Sequence, residues 1–257
     1  MEVNKIYCCD CLDFMSKMEN NFVDLILTSP PYNTSRNSGN IHNHEKRYDI
    51  YLEKRENEEY IKWIINIFKE YDRVLKDNRV VLFNISYGNE NPSLLWLLLA
   101  EIIKETNFMI ADNIIWKKQS ALPNSVSHNK LTRICEYVFV FCRKNEYNSF
   151  LANKQVTSKR PTGQLMYENI FNIVYAKNND ECNGLNKATY STDLCNQLLA
   201  IYGKKGDLVF DSFMGTGTTA LSSYENGMNY IGCELSQEQC NYANKRLENA
   251  KEQLKLF

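Results

Sequence analysis

Glycine and proline are scarce in this chain, at 10 and 5 of 257 residues. So few of either excludes a collagen-like chain and a Pro/Gly-rich disordered one. No apolar run approaches the ~18 residues that a membrane-spanning helix requires. The longest candidate, Leu94 to Ile103, is broken by Glu101. The opening stretch MEVNKIYCCDC has no basic segment leading into an apolar one, so no secretory signal is expected there. The expected address is the cytoplasm, with no membrane partner. A net charge of −1 supplies no global basic excess of the kind that marks many nucleic-acid binders. Present instead are 44% hydrophobic and 24% charged residues in 30.0 kDa. That is enough for one large domain, or one domain with a small appendage.

Nine cysteines raise the question of zinc or disulfides. Cys8, Cys9 and Cys11 bunch together and the other six are scattered. Cys8 and Cys11 have CxxC spacing, but no second such pair completes a metal site, and the count is odd. Cys135 and Cys142 sit in the run ICEYVFVFC, where a thiol acts as a small buried hydrophobe. No metal site is expected.

Strand and helix patterns alternate along the chain. Strands are expected at Lys5 to Cys9, Val23 to Thr28, Arg79 to Ile85, Met109 to Trp116, Ile134 to Cys142, Leu208 to Phe210 and Tyr230 to Cys233. Helices are expected at Leu12 to Met18, Glu59 to Leu75, Ser93 to Thr106, Thr192 to Tyr202, Thr216 to Asn226 and Gln237 to Lys255. Residues 33–58 are polar without a clean period and read as a long loop. From Arg143 to about Leu185 the alternation fails, and the only strand signal is a short one around Ile170 to Val174. The pattern predicts an α/β fold: a mostly parallel sheet with helices on both faces and an antiparallel edge hairpin. It divides into residues 1–143, an insertion at 144–185, and residues 186–257.

The segment VFDSFMGTGTTALSSYENGMNYIGCEL runs from an apolar strand ending at Asp211, through a loop with Gly215 and Gly217, into a helix and a second strand ending at Glu234. Glycines there let backbone approach a ligand, and an acid at the end of the next strand can take two ribose hydroxyls. Gly217 and Glu234 are 17 positions apart, near the ~20 of dinucleotide sites. Ala220 stands where the strict fingerprint has its third glycine, which leaves a dinucleotide open. Asp211 favours another ligand. An acid at the strand end faces a phosphate badly and an ammonium well, as in S-adenosylmethionine.

The second signal is LTSPPYN, Leu27 to Asn33. A buried strand delivers it to a carboxyl edge, where open α/β sheets hold ligands. Paired prolines fix the carbonyl of Pro30. Ser29 adds a hydroxyl, and Tyr32 a flat face with a polar tip. Together they suit a planar base with an exocyclic amino group. Alone, the same turn would read as a stiff corner with a packed tyrosine.

TSPPY followed much later by D-x-F-x-G-x-G-T-T resembles the amino-methyltransferases of DNA, in the circularly permuted (β) class whose catalytic motif precedes the cofactor motif. NKIYCCDCLDFM, LNKATYSTDLCNQLLAIYGKKGD and YIGCELSQEQC extend the similarity over most of the chain. The resemblance implies a Rossmann-like S-adenosylmethionine-dependent methyltransferase fold and a target-recognition role for 144–185. It implies Ser29, Pro30, Pro31 and Tyr32 as catalytic. It also implies that Asp10, Asp211, Phe213, Gly215, Gly217, Thr218, Thr219 and Glu234 hold the cofactor. Three positions depart from the family pattern. Ser212 stands where proline is usual after the motif aspartate, and Asn186-Lys187 replaces His-Pro before the leading helix. Ser29 replaces the aspartate of many adenine-specific members, as is typical of cytosine-N4 enzymes. Site-specific methylation of double-stranded DNA at cytosine N4 is the implied activity, with adenine N6 as the alternative. A partner restriction endonuclease and a homodimer belong to the same expectation.

Basic clusters then acquire a role. Lys117, Lys118, Lys130 and Arg133 lie together without an acid between Trp116 and Arg133, and Arg143, Lys144, Lys154, Lys159 and Arg160 open the insertion. Both read as phosphate contacts or as a solvated surface. Gln155, Gln164, Tyr147 and Tyr167 are candidates for base readout, and Arg36, Lys46 and Arg47 for a lid over a flipped base. His42 and His44 read as solvated. Rival functions are a non-catalytic nucleic-acid binder, a nicotinamide-dependent oxidoreductase, and a methyltransferase acting on RNA or a protein amide.

Overall fold

The computed structural model describes residues 1–33, 55–88, 91–121, 123–125, 127–180 and 189–254. The expected lid residues Arg36, Lys46 and Arg47, with His42, His44, Asn186 and Lys187, lie outside the described residues.

Strands β1 (Lys5–Cys8) and β2 (Leu25–Thr28) flank the short helix α1 (Cys11–Met15). Helix α2 (Asn57–Val74) leads to β3 (Val81–Ile85), and α3 (Leu94–Glu105) to the hairpin β4 (Phe108–Lys118) and β5 (Cys135–Arg143). Then come β6 (Val156–Lys159), β7 (Leu165–Tyr167) and β8 (Ile173–Ala176). The chain closes with α4 (Thr192–Tyr202), β9 (Leu208–Asp211), α5 (Thr218–Glu225), β10 (Asn229–Glu234) and α6 (Gln237–Leu254).

Eight strands form one sheet in the order β1-β10-β9-β2-β3-β5-β4-β8. All neighbours pair in parallel except β5, which runs against both β3 and β4. The β4–β5 hairpin is therefore not the edge: β8 adds outside β4, pairing Ile115 with Ile173 through Lys118 with Ala176. This corrects the sequence reading at two points, since β8 comes from the stretch read as an insertion. Its burial alternates, with Val174 and Ala176 inward, and Trp116 Nε1 donates to the Ala176 carbonyl at 3.3 Å. The short signal around Ile170 to Val174 overlaps only the first half of this strand. The β6–β7 hairpin forms a separate two-stranded sheet whose strand residues are nearly all exposed.

Strand side chains alternate between faces, and two apolar layers result. Ile26, Val81, Phe83, Phe141 and Phe210 pack against α1, α2 and α3 on one side. Leu25, Leu27, Leu82, Val140 and Val209 pack against α4 on the other. Helix α2 is held there by Tyr60, Ile64, Ile67, Phe68, Tyr71 and Val74, a buried stripe that recurs with the helical period. Helix α5 and α6 meet Ile6 and Tyr230 in a third cluster built around Met214, Ala220 and Ala243.

This topology fixes where a ligand can sit. The helix after β9 (α5) and the helix after β2 (α2) lie on opposite faces, so the chain departs in opposite directions from two adjacent strands. A crevice opens outside the carboxyl ends of such a pair. Those ends are Asp211 and Thr28.

Candidate active site

The two motifs, distant in sequence, meet here. Strand β2 pairs with β9 (Leu25 with Val209, Ile26 with Phe210), which brings Ser29 and the glycine loop to one edge. Thr28 Oγ1 donates to Asp211 Oδ1 at 2.7 Å and lies 3.2 Å from Ser212 Oγ. Tyr71 OH makes a short hydrogen bond with Ser212 Oγ. A hydroxyl has one proton. With Thr28's proton on Asp211, Ser212 donates to Thr28 and Tyr71 donates to Ser212. Ser212, where the family usually has proline, thus links two elements through a hydroxyl that proline lacks.

Asp211 differs from its expected role in facing inward. It is 1% exposed. Besides Thr28, the Phe213 N–H donates to Oδ1 at 2.9 Å, and Thr219 Oγ1 and Tyr190 OH donate to Oδ2 at 2.6 and 3.1 Å. Four donors occupy the roughly four lone-pair sites of a carboxylate, so no oxygen is left over for a cofactor ammonium. Burial pushes the Asp211 carboxyl above its ordinary range, and the hydrogen bonds from Thr219, Thr28, Phe213 and Tyr190 oppose that shift. Asp211 is the anchor of the loop. Sequence showed its charge but not its donors.

The loop is tight. Gly215 and Gly217 have φ of 54° and 81°, a region that favours glycine. A Cβ on Gly217 would come within 2.7 Å of Ala243 Cβ on α6, so this glycine is required by helix packing as well as by its φ. Glu234 Oε2 accepts the Gly215 N–H at 2.9 Å, and Oε1 the Ser236 N–H at 3.0 Å. Thr218 is buried beside Arg246, whose guanidinium donates to the Thr216 carbonyl at 2.9 Å and reaches Asp180 at 2.8 Å. Asp180 also accepts the Thr192 N–H, which ties α6, the loop and the start of α4 together. Nothing in the spacing of Arg246 and Asp180 announced this bridge.

Asp10 caps α1, its Oδ1 accepting from Leu12 and Asp13 N–H. It follows β1, whose Cys8 pairs with Glu234, so two carboxylates stand at adjacent strand ends. Phe213 packs edge-on to Trp63 at 5.6 Å, and Arg55 lies 4.5 Å over the Trp63 ring. Two acids for hydroxyls or amines and an aromatic wall beside a glycine loop suit a nucleoside-containing cofactor.

On the β2–β3 side, Tyr60 OH donates to the Pro31 carbonyl at 3.1 Å, fixing the corner. Pro30 is buried, while Ser29, Pro31 and Tyr32 are half-buried. Neither Ser29 Oγ nor the Pro30 carbonyl has a hydrogen-bond partner among the described residues. Adjacent hydroxyls therefore differ: Thr28 is committed inward and Ser29 is open. A hollow at Tyr32 is lined also by Tyr60, Tyr87, Ile85, Leu94 and Leu98.

The basic residues divide. Lys118 Nζ lies 2.5 Å from Glu136 Oε1 and 4.8 Å above the Trp116 ring. Arg133 stacks 3.9 Å from the Tyr87 ring and donates to the Tyr87 carbonyl. Arg143 is buried on Asp72, Glu146 and the Lys76 and Leu75 carbonyls. These three are held internally, contrary to the phosphate reading. Lys117 is half-buried over Tyr175 at 4.9 Å. Lys130, Lys154, Lys159 and Arg160 are exposed, with Arg160 Nη1 on Gln164 at 3.2 Å. Tyr147 and Tyr167 are also exposed.

Among curated proteins, the chain is 28% identical to the orphan methyltransferase M.BamHII of Bacillus amyloliquefaciens, over 88% of this chain and 89% of that one. It is 25% identical to the type II methyltransferase M1.MboII of Moraxella bovis, covering 95% and 96%. Its fold matches that of the cytosine-N4-specific PvuII DNA methyltransferase with a TM-score of 0.68, 19% identity, and 93% and 84% coverage. The M1.HpyAVI–SAM complex matches at TM-score 0.61, 21% identity, and 95% and 98% coverage. The sequence profile of the DNA methylase family, N6_N4_Mtase, spans residues 23–245, and the chain belongs to that family.

Proposed function

We propose that this protein transfers a methyl group from S-adenosylmethionine to an exocyclic amino group of double-stranded DNA, with cytosine N4 as the target and adenine N6 as the alternative. One observation carries the reading: the SPPY corner and the glycine loop leave adjacent paired strands at one edge of the sheet, and Ser29 Oγ and the Pro30 carbonyl there have no hydrogen-bond partner among the described residues. When bound, the cofactor supplies an electrophilic sulfonium methyl.

The chain's residues do the rest. Asp10, Phe213, Gly215, Gly217, Thr218, Thr219 and Glu234 line or brace the cofactor side, with Asp211 holding the loop in shape. An exocyclic amino nitrogen is a poor nucleophile because its lone pair is delocalised into the ring. Ser29 and Pro30 accept its two N–H bonds and turn the lone pair out of the ring plane. Positioning of this kind supplies most of the acceleration. No strong base is required, since the alkylated ammonium is itself acidic. Tyr32 stacks on the base, which must leave the duplex at a cost of roughly a few kcal/mol. Serine in place of the family's adenine-associated aspartate favours N4.

Lys117, Lys130, Lys154, Lys159 and Arg160 are the phosphate contacts we retain. The stretch 144–185, within a division of 1–143, 144–185 and 186–257, is read as the recognition region through its exposed hairpin. No described helix is long and apolar enough to cross a membrane, and a cytoplasmic site of action accompanies the DNA substrate. A partner endonuclease follows from the type II names of relatives, although the Bacillus relative is named an orphan. A homodimer would cover the exposed Trp96 and Leu97 of α3.

Nucleoside analysis of DNA from cells expressing the protein tests the target. N4-methylcytosine is expected. N6-methyladenine would select the alternative, and neither would refute DNA methylation. Ser29→Ala should cut turnover about a hundredfold or more while calorimetric cofactor affinity stays parental. A parental rate in that variant would remove Ser29 from the amino-group site.

A further inference from the structure

Tyr32 is tethered at its tip. Its phenol donates to Glu136 Oε2 at 3.1 Å, across from β5. The other oxygen of Glu136 meets Lys118 Nζ at 2.5 Å, and Lys118 rests over the Trp116 ring. The Glu136 and Lys118 side chains are only 16% and 23% exposed. Register explains the cluster: Glu136 faces Trp116 in the β4–β5 ladder, which places Lys118 on the adjoining diagonal. The carboxylate is thus held in place by a half-buried ammonium, and one oxygen is aimed at the phenol of a residue in the catalytic motif.

We propose that Glu136 is a positioning residue for methyl transfer, acting through the Tyr32 phenol and held in place by Lys118. The inference rests on the reading of Tyr32 as the ring that stacks on the target base. A stacked aromatic works by angle and height, and a ring fixed only at Cβ can swing. Anchoring the far end of the ring to a charged acceptor, itself locked by an ion pair and a cation–π contact, removes that swing before the base arrives. It also explains why a lysine in a basic stretch has a carboxylate beside it: Lys118 serves the site instead of the phosphate backbone. Neither Glu136 nor its partnership with Lys118 could be found by motif, because the two are 18 positions apart and meet only through strand pairing.

Single-turnover methylation of duplex DNA, with cofactor and DNA saturating, tests this. Glu136→Ala is expected to slow the chemical step about tenfold, with the KM for cofactor within about twofold of parental. Glu136→Gln, whose amide still gives the phenol a partner, should recover most of that loss. Tyr32→Phe should be slow to a similar degree, and the double variant Glu136→Ala/Tyr32→Phe should be no slower than Tyr32→Phe alone. A double variant slowed by the product of the two single effects would overturn the proposal, as would a parental rate for Glu136→Ala. If Glu136→Ala does not fold around the abandoned Lys118, Lys118→Met/Glu136→Gln against Lys118→Met/Glu136→Leu gives the same comparison without a lone half-buried charge, the first being expected within about threefold of parental and the second about tenfold slower. Equal rates in the two would count against the acceptor role. Tyr32→Ala separates this inference from the one beneath it. A parental rate there would sink the stacking reading and the anchor with it, whereas a slow Tyr32→Ala beside an unimpaired Glu136→Ala would sink the anchor alone.

Discussion

Charges on the sheet and charges on the β6–β7 hairpin look alike in the sequence and behave differently in the fold. Arg143, Lys118 and Asp211 end sheet strands and are turned inward, each with its donors or acceptors matched by neighbours. Lys154, Lys159 and Arg160 lie in or beside a small exposed hairpin. The first group is bound up in holding the crevice together. The second is available to a partner. Counting basic residues measures neither; what decides is whether the fold sets matching donors or acceptors beside the charge.

The sharpest way to break the contrast is to remove Arg143. Its guanidinium reaches Asp72, Glu146 and the carbonyls of Lys76, Asp72 and Leu75. Truncation to alanine leaves those groups facing one another, and removing one partner of a buried ion pair costs about 3–5 kcal/mol. Arg143→Ala should lower the midpoint of thermal unfolding by many degrees, and Arg143→Lys by nearly as much, because an ammonium lacks the fork that spans these acceptors. The fraction that stays folded should bind duplex DNA with the parental salt dependence. A reduced salt slope with unchanged stability would place Arg143 with the outward group.

Lys154, Lys159 and Arg160 should give the mirror image. Changing all three to glutamine should leave unfolding within about 1 kcal/mol of parental, since exposed charges contribute little to stability. Duplex affinity should fall, and the slope of log affinity against log salt should shrink by about 0.9 for each phosphate no longer neutralised, roughly 2.7 for three. Fluorescence anisotropy across a salt series measures both quantities. An unchanged slope would mean that the hairpin faces away from DNA.

The same contrast explains what could be read beforehand. Alternation of apolar runs marks nearly every strand and helix, because both faces of the sheet centre are covered and β2, β3 and β9 are buried throughout. The glycine loop and the SPPY corner were legible because proline and glycine constrain backbone directly. Strand β8 is signalled only in part, by the short run around Ile170 to Val174, and the role of Lys118 is hidden because Glu136 reaches it only after β4 and β5 pair. Asp211 was located correctly and its direction misjudged. Its hydrogen-bond donors are Thr28, Phe213, Thr219 and Tyr190, one of them 183 positions away, and no local pattern encodes them.

Asp211 also supplies the smallest of the expected effects, one of protons. Burial raises its carboxyl in the folded state above the ordinary value that it has in the unfolded chain, the hydrogen bonds offsetting only part of that shift. Between the two values the folded protein binds a proton that the unfolded chain does not, so this group adds stability as pH falls through its folded value and gains nothing further below the unfolded one. The site can accept that proton, because Tyr190 OH and Thr219 Oγ1 are 2.6 Å apart and one can turn its own proton to the other while accepting from the carboxyl. Acid weakens the usual surface-paired carboxylate, but it should not weaken this anchor. Unfolding of the parental chain and of Asp211→Asn, followed by denaturant titration from neutral pH downward, isolates this contribution: the parental advantage over the variant should grow with acidification and then level off. An advantage that shrinks with acid would mean that the four hydrogen bonds outweigh burial, and that Asp211 is held as a conventional low-pKa carboxylate.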